Sequence, residues 1–177
     1  MKTIDLDELK KGLPGITQSV GHYLSEAVIY CLISNGHNSG VLMAIEGENE
    51  ENIKVVWEGE IDKDAVNSWN DKEELVEYAA TGMALLLVLE FTDYTDMKRS
   101  RKGSRGDYWL GEKDENGFTL LTALLEISGI YKASATNTVN SRVRLKQKQL
   151  ENSPFKNLPA YIVVVEFSNP KAKIIKK

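Results

Sequence analysis

Apolar residues in the first part of the chain follow two different periods. From Ile16 to Leu32 they recur at helical spacing, and Asn35-Gly36 then provides a typical helix end. Two short runs follow, Val41 to Ile45 and Ile53 to Trp57, and both have the residue pattern typical of a strand. The acidic segment between them predicts the turn that joins the two strands. The pattern therefore predicts one helix and one β-hairpin ahead of residue 71.

The second part begins with a helix over about Lys72 to Phe91, for which Asp71 is a suitable N-cap. This helix is apolar nearly all round after its second turn, which predicts that it is buried against a sheet. Three strands are predicted next, near Met97 to Ser100, Asp107 to Leu110 and Leu120 to Ile130.

A polar, basic helix is expected to start from Asn137 or Thr138 and to end near Asn152. The continuous apolar run Tyr161 to Phe167 predicts a central buried strand, and a lysine-rich tail follows Pro170. The order from residue 71 onward is helix, three strands, helix, strand. It predicts an α/β (α+β) fold with a mixed central sheet and a helix on each face.

These elements suggest residues 1–70 as an N-terminal helix and hairpin extension, packed on a core at residues 71–177 in one compact domain. The single cysteine, Cys31, excludes an intramolecular disulfide and a cysteine-based zinc site. The apolar run Ala79 to Leu89 is too short to span a bilayer, and no signal peptide is recognisable. A cytoplasmic protein without a membrane partner is the expectation.

Charge is distributed unevenly along the chain. Residues 1–96 hold six basic and nineteen acidic side chains, a net charge of −13, whereas residues 97–177 hold sixteen and seven, a net charge of +9. The basic half indicates a phosphate-bearing partner such as nucleic acid. The alternative is that the acidic part packs on the basic part and neutralises it.

Two carboxylates interrupt the predicted strands. Asp107 begins one strand, and Glu126 lies between Leu125 and Ile127 in the next. A carboxylate within an apolar strand is costly to bury unless it is paired or binds a cation. Two carboxylates on neighbouring strands would suit a hard divalent metal. Asp107 could also simply start a strand from a turn.

This order of elements, with an acid on the second and third strands, resembles the PD-(D/E)xK restriction-endonuclease-like superfamily over residues 71–168. The resemblance implies a metal-dependent nuclease core that holds Mg²⁺ or Mn²⁺ and cleaves phosphodiesters. It assigns the metal and catalytic acids to Asp107, Glu126 and, on the first helix, Glu77, which would otherwise be an ordinary surface acid. The basic turn Arg99 to Gly103 before Asp-Tyr-Trp-Leu-Gly also resembles a family of prokaryotic proteins, a likeness that carries no function.

The chain departs from the superfamily pattern at one position. The lysine expected two residues after Glu126 is replaced by Ser128, which has no positive charge to stabilise charge on a phosphate. Candidates for a lysine supplied from elsewhere are Lys102 in the basic turn, and Lys146 or Lys148 on the following helix.

The segment Lys98 to Arg105 holds five cations in eight residues, and it is either a nucleic-acid grip beside Asp107 or a solvated loop. On the basic helix, like charges four residues apart repel and suggest an anionic partner. The predicted nucleic-acid contacts are Arg99, Arg101, Lys102, Arg105, Arg142 and Lys146.

Three hypotheses follow. The first is a magnesium-dependent nuclease that acts in defence or DNA processing. The second is a catalytically inactive protein of the same fold that binds nucleic acid or a protein. The third is an interaction module in which Val41 to Trp57 contacts a partner subunit or a second copy of the chain.

Overall fold

The computed structural model describes residues 1–101 and 106–177, and within these ranges the chain forms one eight-stranded mixed sheet and five helices. The predicted basic-turn residues Lys102 and Arg105 lie outside the described residues. The strands are β1 (Thr3–Asp5), β2 (Val41–Gly47), β3 (Glu51–Val56), β4 (Asp96–Arg99), β5 (Tyr108–Lys113), β6 (Thr119–Ile130), β7 (Ala160–Glu166) and β8 (Lys171–Lys176). The helices are α1 (Asp7–Lys10), α2 (Gln18–Ser34), α3 (Lys63–Ser68), α4 (Lys72–Phe91) and α5 (Val139–Glu151).

The strand order is β1-β3-β2-β8-β7-β6-β5-β4. Strands β4, β5 and β6 form an antiparallel meander, after which α5 crosses over and β7 lies parallel to β6. Strand β8 then pairs antiparallel with β7 and parallel with β2. The predicted order of helix, three strands, helix and strand from residue 71 is confirmed, with one further strand at its end.

Helix α4 begins as the sequence predicts. The Asp71 carboxylate accepts hydrogen bonds from the backbone N–H groups of Glu73 and Glu74, at 2.8 and 3.1 Å. From Ala79 to Val88 every residue of the helix is buried, because α2 covers it on one side and β6 and β7 on the other. Burial on both sides explains why this helix is apolar nearly all round.

The sheet has a core on each face. On one face, α2 and α4 pack over the odd-numbered side chains of β6 and β7, such as Leu125 and Val163. On the other, Val143 and Leu150 of α5 pack over even-numbered ones, such as Leu124 and Ile162. All seven residues of β7 are buried, so the predicted central strand and the helix on each face are confirmed.

The N-terminal hairpin and the C-terminal tail meet within the sheet. Strands β2 and β3 of the hairpin are paired on both sides, β2 with β8 and β3 with β1, so neither strand has a fully open edge. The lysine-rich tail predicted from the sequence forms strand β8, in which Ala172 and Ile174 are fully buried and Lys171 and Lys173 are partly exposed. This alternation has the period of a strand, which the high lysine content obscures in the sequence.

The structure also contains β1, α1 and α3, which are short and have no clear period in the sequence. Among the described residues, no helix combines the length and the apolar character needed to cross a lipid bilayer.

Close packing at Gly129 sets the distance between α4 and β6. A Cβ atom at this position would lie 2.6 Å from the carbonyl oxygen of Val76 and 2.9 Å from Cβ of Ala80. Since real Cβ atoms do not approach a backbone oxygen so closely, only glycine lets α4 rest directly on the strand. The same contact determines where the α4 side chains Glu73 and Glu77 lie relative to β6.

We therefore expect Gly129→Ala to lower the free energy of unfolding by about 1–3 kcal/mol, because α4 or β6 must move to admit the methyl group. Urea unfolding measures this loss. Thr122→Ala, at an exposed position of the same strand, is the control and should cost clearly less. Equal stability of Gly129→Ala and the wild-type protein would contradict the packing described here.

Candidate functional site

Strands β5 and β6 are paired only up to Tyr108 and Leu125. Beyond this point β6 continues to Ile130, paired with β7 alone. One edge of β6 is thus uncovered over its last residues, between α4 on one face of the sheet and α5 on the other. A cleft of about 480 Å³ opens along this edge.

Asp107 lies where the two strands part. Its backbone N–H donates to the carbonyl of Leu125 at 2.9 Å, which is the last bond of the ladder. Its carboxylate Oδ2 then accepts a hydrogen bond from the backbone N–H of Ile127 at 2.7 Å. The side chain therefore takes the place of a strand carbonyl and fixes its own carboxylate at the end of the cleft.

Glu126 is buried beside the cleft, with 4% of its surface exposed. Lys146 of α5 donates a hydrogen bond from Nζ to its Oε2 at 2.7 Å. Burial raises the pKa of Glu126 above its ordinary value; the contact with Lys146 opposes this shift, and the negative charge of Asp107 adds to it. Asp107 is the neighbour of Glu126 across the strand ends, since it bonds to the backbone of Leu125 and of Ile127 on either side of Glu126.

Helix α5 brings Lys146 to this position through a defined N-terminus. The Thr138 side chain accepts a hydrogen bond from the Ser141 N–H, and the Ser141 hydroxyl accepts one from the Thr138 N–H, so the two form a capping box. From this start Arg142, Lys146 and Gln149 occur at spacings of four and three residues, and all three line the cleft. The prediction left the cap open between Asn137 and Thr138, and Thr138 is the N-cap.

The two long walls of the cleft carry opposite charges. Glu73 and Glu77, one turn apart on α4, form the acidic wall. Arg142 and Lys146 on α5 form the basic wall. Among the described residues no ion pair joins the acids of the first wall to a cation of the second.

Arg99, at the end of β4, adds a third cation beside Asp107. Its Nη1 donates to the Tyr108 hydroxyl at 3.2 Å, and its guanidinium lies 5.0 Å from the centre of the Tyr108 ring. Burial alone would lower the pKa of Arg99, but the hydrogen bond with Tyr108 and the charges of Asp107 and Glu77 outweigh burial and raise it. Arg99 is therefore held as a fixed positive charge within the field of both acids.

Most residues predicted from the sequence are brought together here. The cleft is lined by Glu77, Arg99, Asp107, Arg142 and Lys146, and Glu126 is buried behind Lys146. Arg101 is exposed beyond the end of β4, and Lys102 and Arg105 lie outside the described residues. Of the candidates to replace the lysine missing at Ser128, Lys146 contacts Glu126.

The lining of the cleft also includes residues that were not predicted, among them one on each helical wall. Glu73 precedes Glu77 by four residues on α4, and Gln149 follows Lys146 by three on α5. The helical spacing from a predicted site residue would have indicated both.

The acids are not arranged as a complete metal site. Within residues 1–101 and 106–177, no group of three or more His, Cys, Asp or Glu side chains is placed to hold a metal ion. Asp107 and Glu126 are neighbours across the strand ends, and the contact partner of Glu126 is a lysine. The oxygen donors of this pair suit Mg²⁺ in kind, whereas a third acid is not gathered with them.

The pH dependence of stability should reveal Glu126. Because its pKa is raised in the folded protein, its contribution to stability is fully present below its ordinary pKa and is lost as pH rises through the folded value. Glu126→Gln cannot titrate, so the wild-type protein should lose stability relative to this variant as pH rises above the ordinary glutamate pKa of about 4 toward neutral pH. Urea unfolding across this range tests the sign, and a difference that does not vary with pH would contradict it.

The Lys146–Glu126 contact should be visible in a double-mutant cycle at neutral pH. Lys146→Met leaves a buried carboxylate without its partner, so we expect a loss of about 1–3 kcal/mol in the free energy of unfolding. Adding Glu126→Gln should restore most of this loss, because no charge then remains to be compensated. Additive effects of the two substitutions would show that the pair does not interact.

Comparison of the chain with protein-family models, curated proteins and solved structures finds no match. The resemblance to the PD-(D/E)xK superfamily therefore stays a prediction.

Proposed function

We propose that this protein is a Mg²⁺-dependent nuclease-like protein with a restriction-endonuclease-like core, acting on phosphodiesters of nucleic acid. The observation that carries the proposal is the convergence of Asp107, Glu126 and Lys146 at the parting of β5 and β6. Two acids and a lysine at one sheet edge, beside a cleft with further cations, are the groups that metal-assisted phosphodiester cleavage requires.

The topology supports the same proposal. The β4–β5–β6 meander, the α5 crossover and the parallel strand β7 follow helix α4 in the order that the resemblance implies. The acids occur directly before the second strand of this series and within the third, and Glu77 on α4 lines the same cleft as Asp107.

Asp107 and Glu126 would hold the metal, and Glu77 on the α4 wall of the same cleft is the further acid nearest in role, although it is not gathered with them in this structure. A bound Mg²⁺ ion neutralises charge on a phosphate and lowers the pKa of a coordinated water. The hydrogen bond from Ile127 orients the Asp107 carboxylate before any ligand arrives, so no side-chain entropy has to be lost at that step.

In this proposal Lys146 replaces the lysine that the superfamily pattern would place at the position of Ser128. Its ammonium group lies against Glu126 and at the surface of the cleft, from where it would donate to a phosphate oxygen. Arg99 and Arg142 would hold the phosphates on either side. Cations of this kind contact the phosphates of a nucleic acid and position it without reading the sequence of its bases.

A second candidate is nucleic-acid binding without cleavage. The observation that favours it is that Lys146 already neutralises Glu126 and that no third acid joins the pair within the described residues. If Glu126 keeps its lysine, the cleft retains its affinity for phosphates but has no metal-dependent chemistry.

Cleavage assays with Mg²⁺ and Mn²⁺ on single-stranded DNA, duplex DNA and RNA distinguish the two. We expect metal-dependent cleavage by the wild-type protein and a loss of about a hundredfold or more in Asp107→Asn, Glu126→Gln and Lys146→Met. Glu112→Gln, an exposed acid on β5, is the matched control and should retain full activity.

Loss of activity in the three variants but not in the control excludes a contaminating nuclease. Cleavage that persists in Asp107→Asn and Glu126→Gln would refute the proposed site. Binding without cleavage by the wild-type protein in either metal would support the second candidate instead.

A further inference from the structure

A second groove adjoins the cleft on the outer side of α5. It has a volume of about 430 Å³ and is lined by Thr136, Asn137, Arg144, Leu145 and Lys148, together with Arg142, which also lines the first cleft. Arg142 is therefore common to the walls of both cavities. The cations of α5 that line them are Arg142, Arg144, Lys146 and Lys148.

These four cations lie on the α5 side of the path, and Arg99, the further cation of the cleft, lies beside Asp107. The facing wall of the first cleft is formed by the acids Glu73 and Glu77, which are exposed and not ion-paired to another described residue. A duplex presents two phosphate strands, and a duplex entering the cleft would bring one of them toward the acidic wall. A single strand can keep its phosphates on the α5 side and turn its sugars and bases toward α4.

From these observations we propose that the site binds single-stranded nucleic acid, with the phosphates passing from the cleft over Arg142 to Arg144 and Lys148. This inference specifies the substrate of the proposed nuclease-like site, and it rests on that proposal. Binding itself needs no metal, so it can be tested separately from cleavage.

The chemistry of both walls fits this ligand. Carboxylates such as Glu73 and Glu77 accept hydrogen bonds from the amino groups of unpaired bases, which in a duplex are engaged by the opposite strand. In the outer groove, Leu145 is 54% exposed between Arg144 and Lys148 and offers an apolar surface for an unstacked base. A ligand whose bases are already paired offers no unstacked base, and only one proton of each paired amino group remains free at its groove edge.

The small number of cations on α5 also limits how many phosphates the protein can contact. The α5 residues from Arg142 to Lys148 span about 9 Å along the helix axis, so they can reach only a short stretch of backbone. Three or four phosphate contacts to a single strand correspond to a slope of about −2 to −3 in log K against log salt.

Fluorescence anisotropy in EDTA provides the test, with a labelled single-stranded oligonucleotide of about 12 nucleotides and the duplex of the same sequence as probes. We expect the single strand to bind at least about tenfold more tightly, with the salt slope given above. Arg144→Gln combined with Lys148→Gln should weaken binding of the single strand. Lys63→Gln, an exposed cation on α3, is the matched control and should have no effect.

The acidic wall is tested by Glu73→Gln combined with Glu77→Gln. Removing both charges should raise the affinity for the duplex and so reduce the preference for the single strand. Glu115→Gln, in the exposed turn between β5 and β6, is the control for a general change in net charge. Circular dichroism and urea unfolding verify that each variant is folded.

Equal or tighter binding of the duplex by the wild-type protein would overturn the inference, and so would absence of binding to both probes. Metal-dependent cleavage without preference for single strands would overturn the inference alone and leave the proposed function standing. Selective binding of the single strand without cleavage in any metal would support the inference and refute the nuclease proposal.

Discussion

The hydrogen bond from the Ile127 N–H to the Asp107 carboxylate determines the shape of the whole site. A strand edge deep in a sheet must have its N–H groups satisfied, and neighbouring strands normally do this with backbone carbonyls. Here a side chain does so, which allows β5 to end while β6 continues. A side-chain oxygen thus accepts the bond that a backbone oxygen would normally accept. This exchange accounts for the uncovered length of β6, the cleft beside it and the fixed carboxylate at its end.

The Glu126–Lys146 pair depends on that geometry, and burying its carboxylate costs free energy of folding. A carboxylate at 4% exposure loses most of its hydration, and a single lysine contact offsets only part of the loss, as the raised pKa indicates. A leucine or isoleucine at this strand position would pack without such a penalty. Retaining an ionisable pair at the surface of a cleft is therefore understandable if its charges act on a ligand, since stability alone favours an apolar residue.

The core elements could be predicted from the sequence because their burial gives them a clear period. Helix α4 shows this best, since its cap at Asp71 and its all-round apolar surface specify both its start and its position between α2 and the sheet. Strand β8 could not be predicted in the same way, because its lysines dominate a pattern whose buried positions are Ala172 and Ile174. Its place between β7 and β2 results from long-range pairing, which a local pattern does not contain.

The same distinction applies to the site. Asp107 and Glu126 could be identified as unusual, since a charge in an apolar strand is improbable on local grounds. The sequence could not show which lysine contacts Glu126, because this contact depends on how the α5 crossover packs on the sheet. The capping box at Thr138 sets the phase of α5, and this phase directs Arg142 and Lys146 toward the cleft while Arg144 and Lys148 face the outer groove.

The division of charge across the cleft is hard to explain by folding alone. Acids on α4 and cations on α5 face the same space, yet the described residues contain no ion pair between the two walls. Pairing them would bring little stability at exposed positions, and leaving them apart keeps a field across the cleft that is negative on one side and positive on the other. Such a field orients a ligand that has phosphates along one edge and hydrogen-bond donors along the other. An unpaired nucleic-acid strand has both features, so the charge pattern that does not stabilise the fold is suited to orienting this ligand.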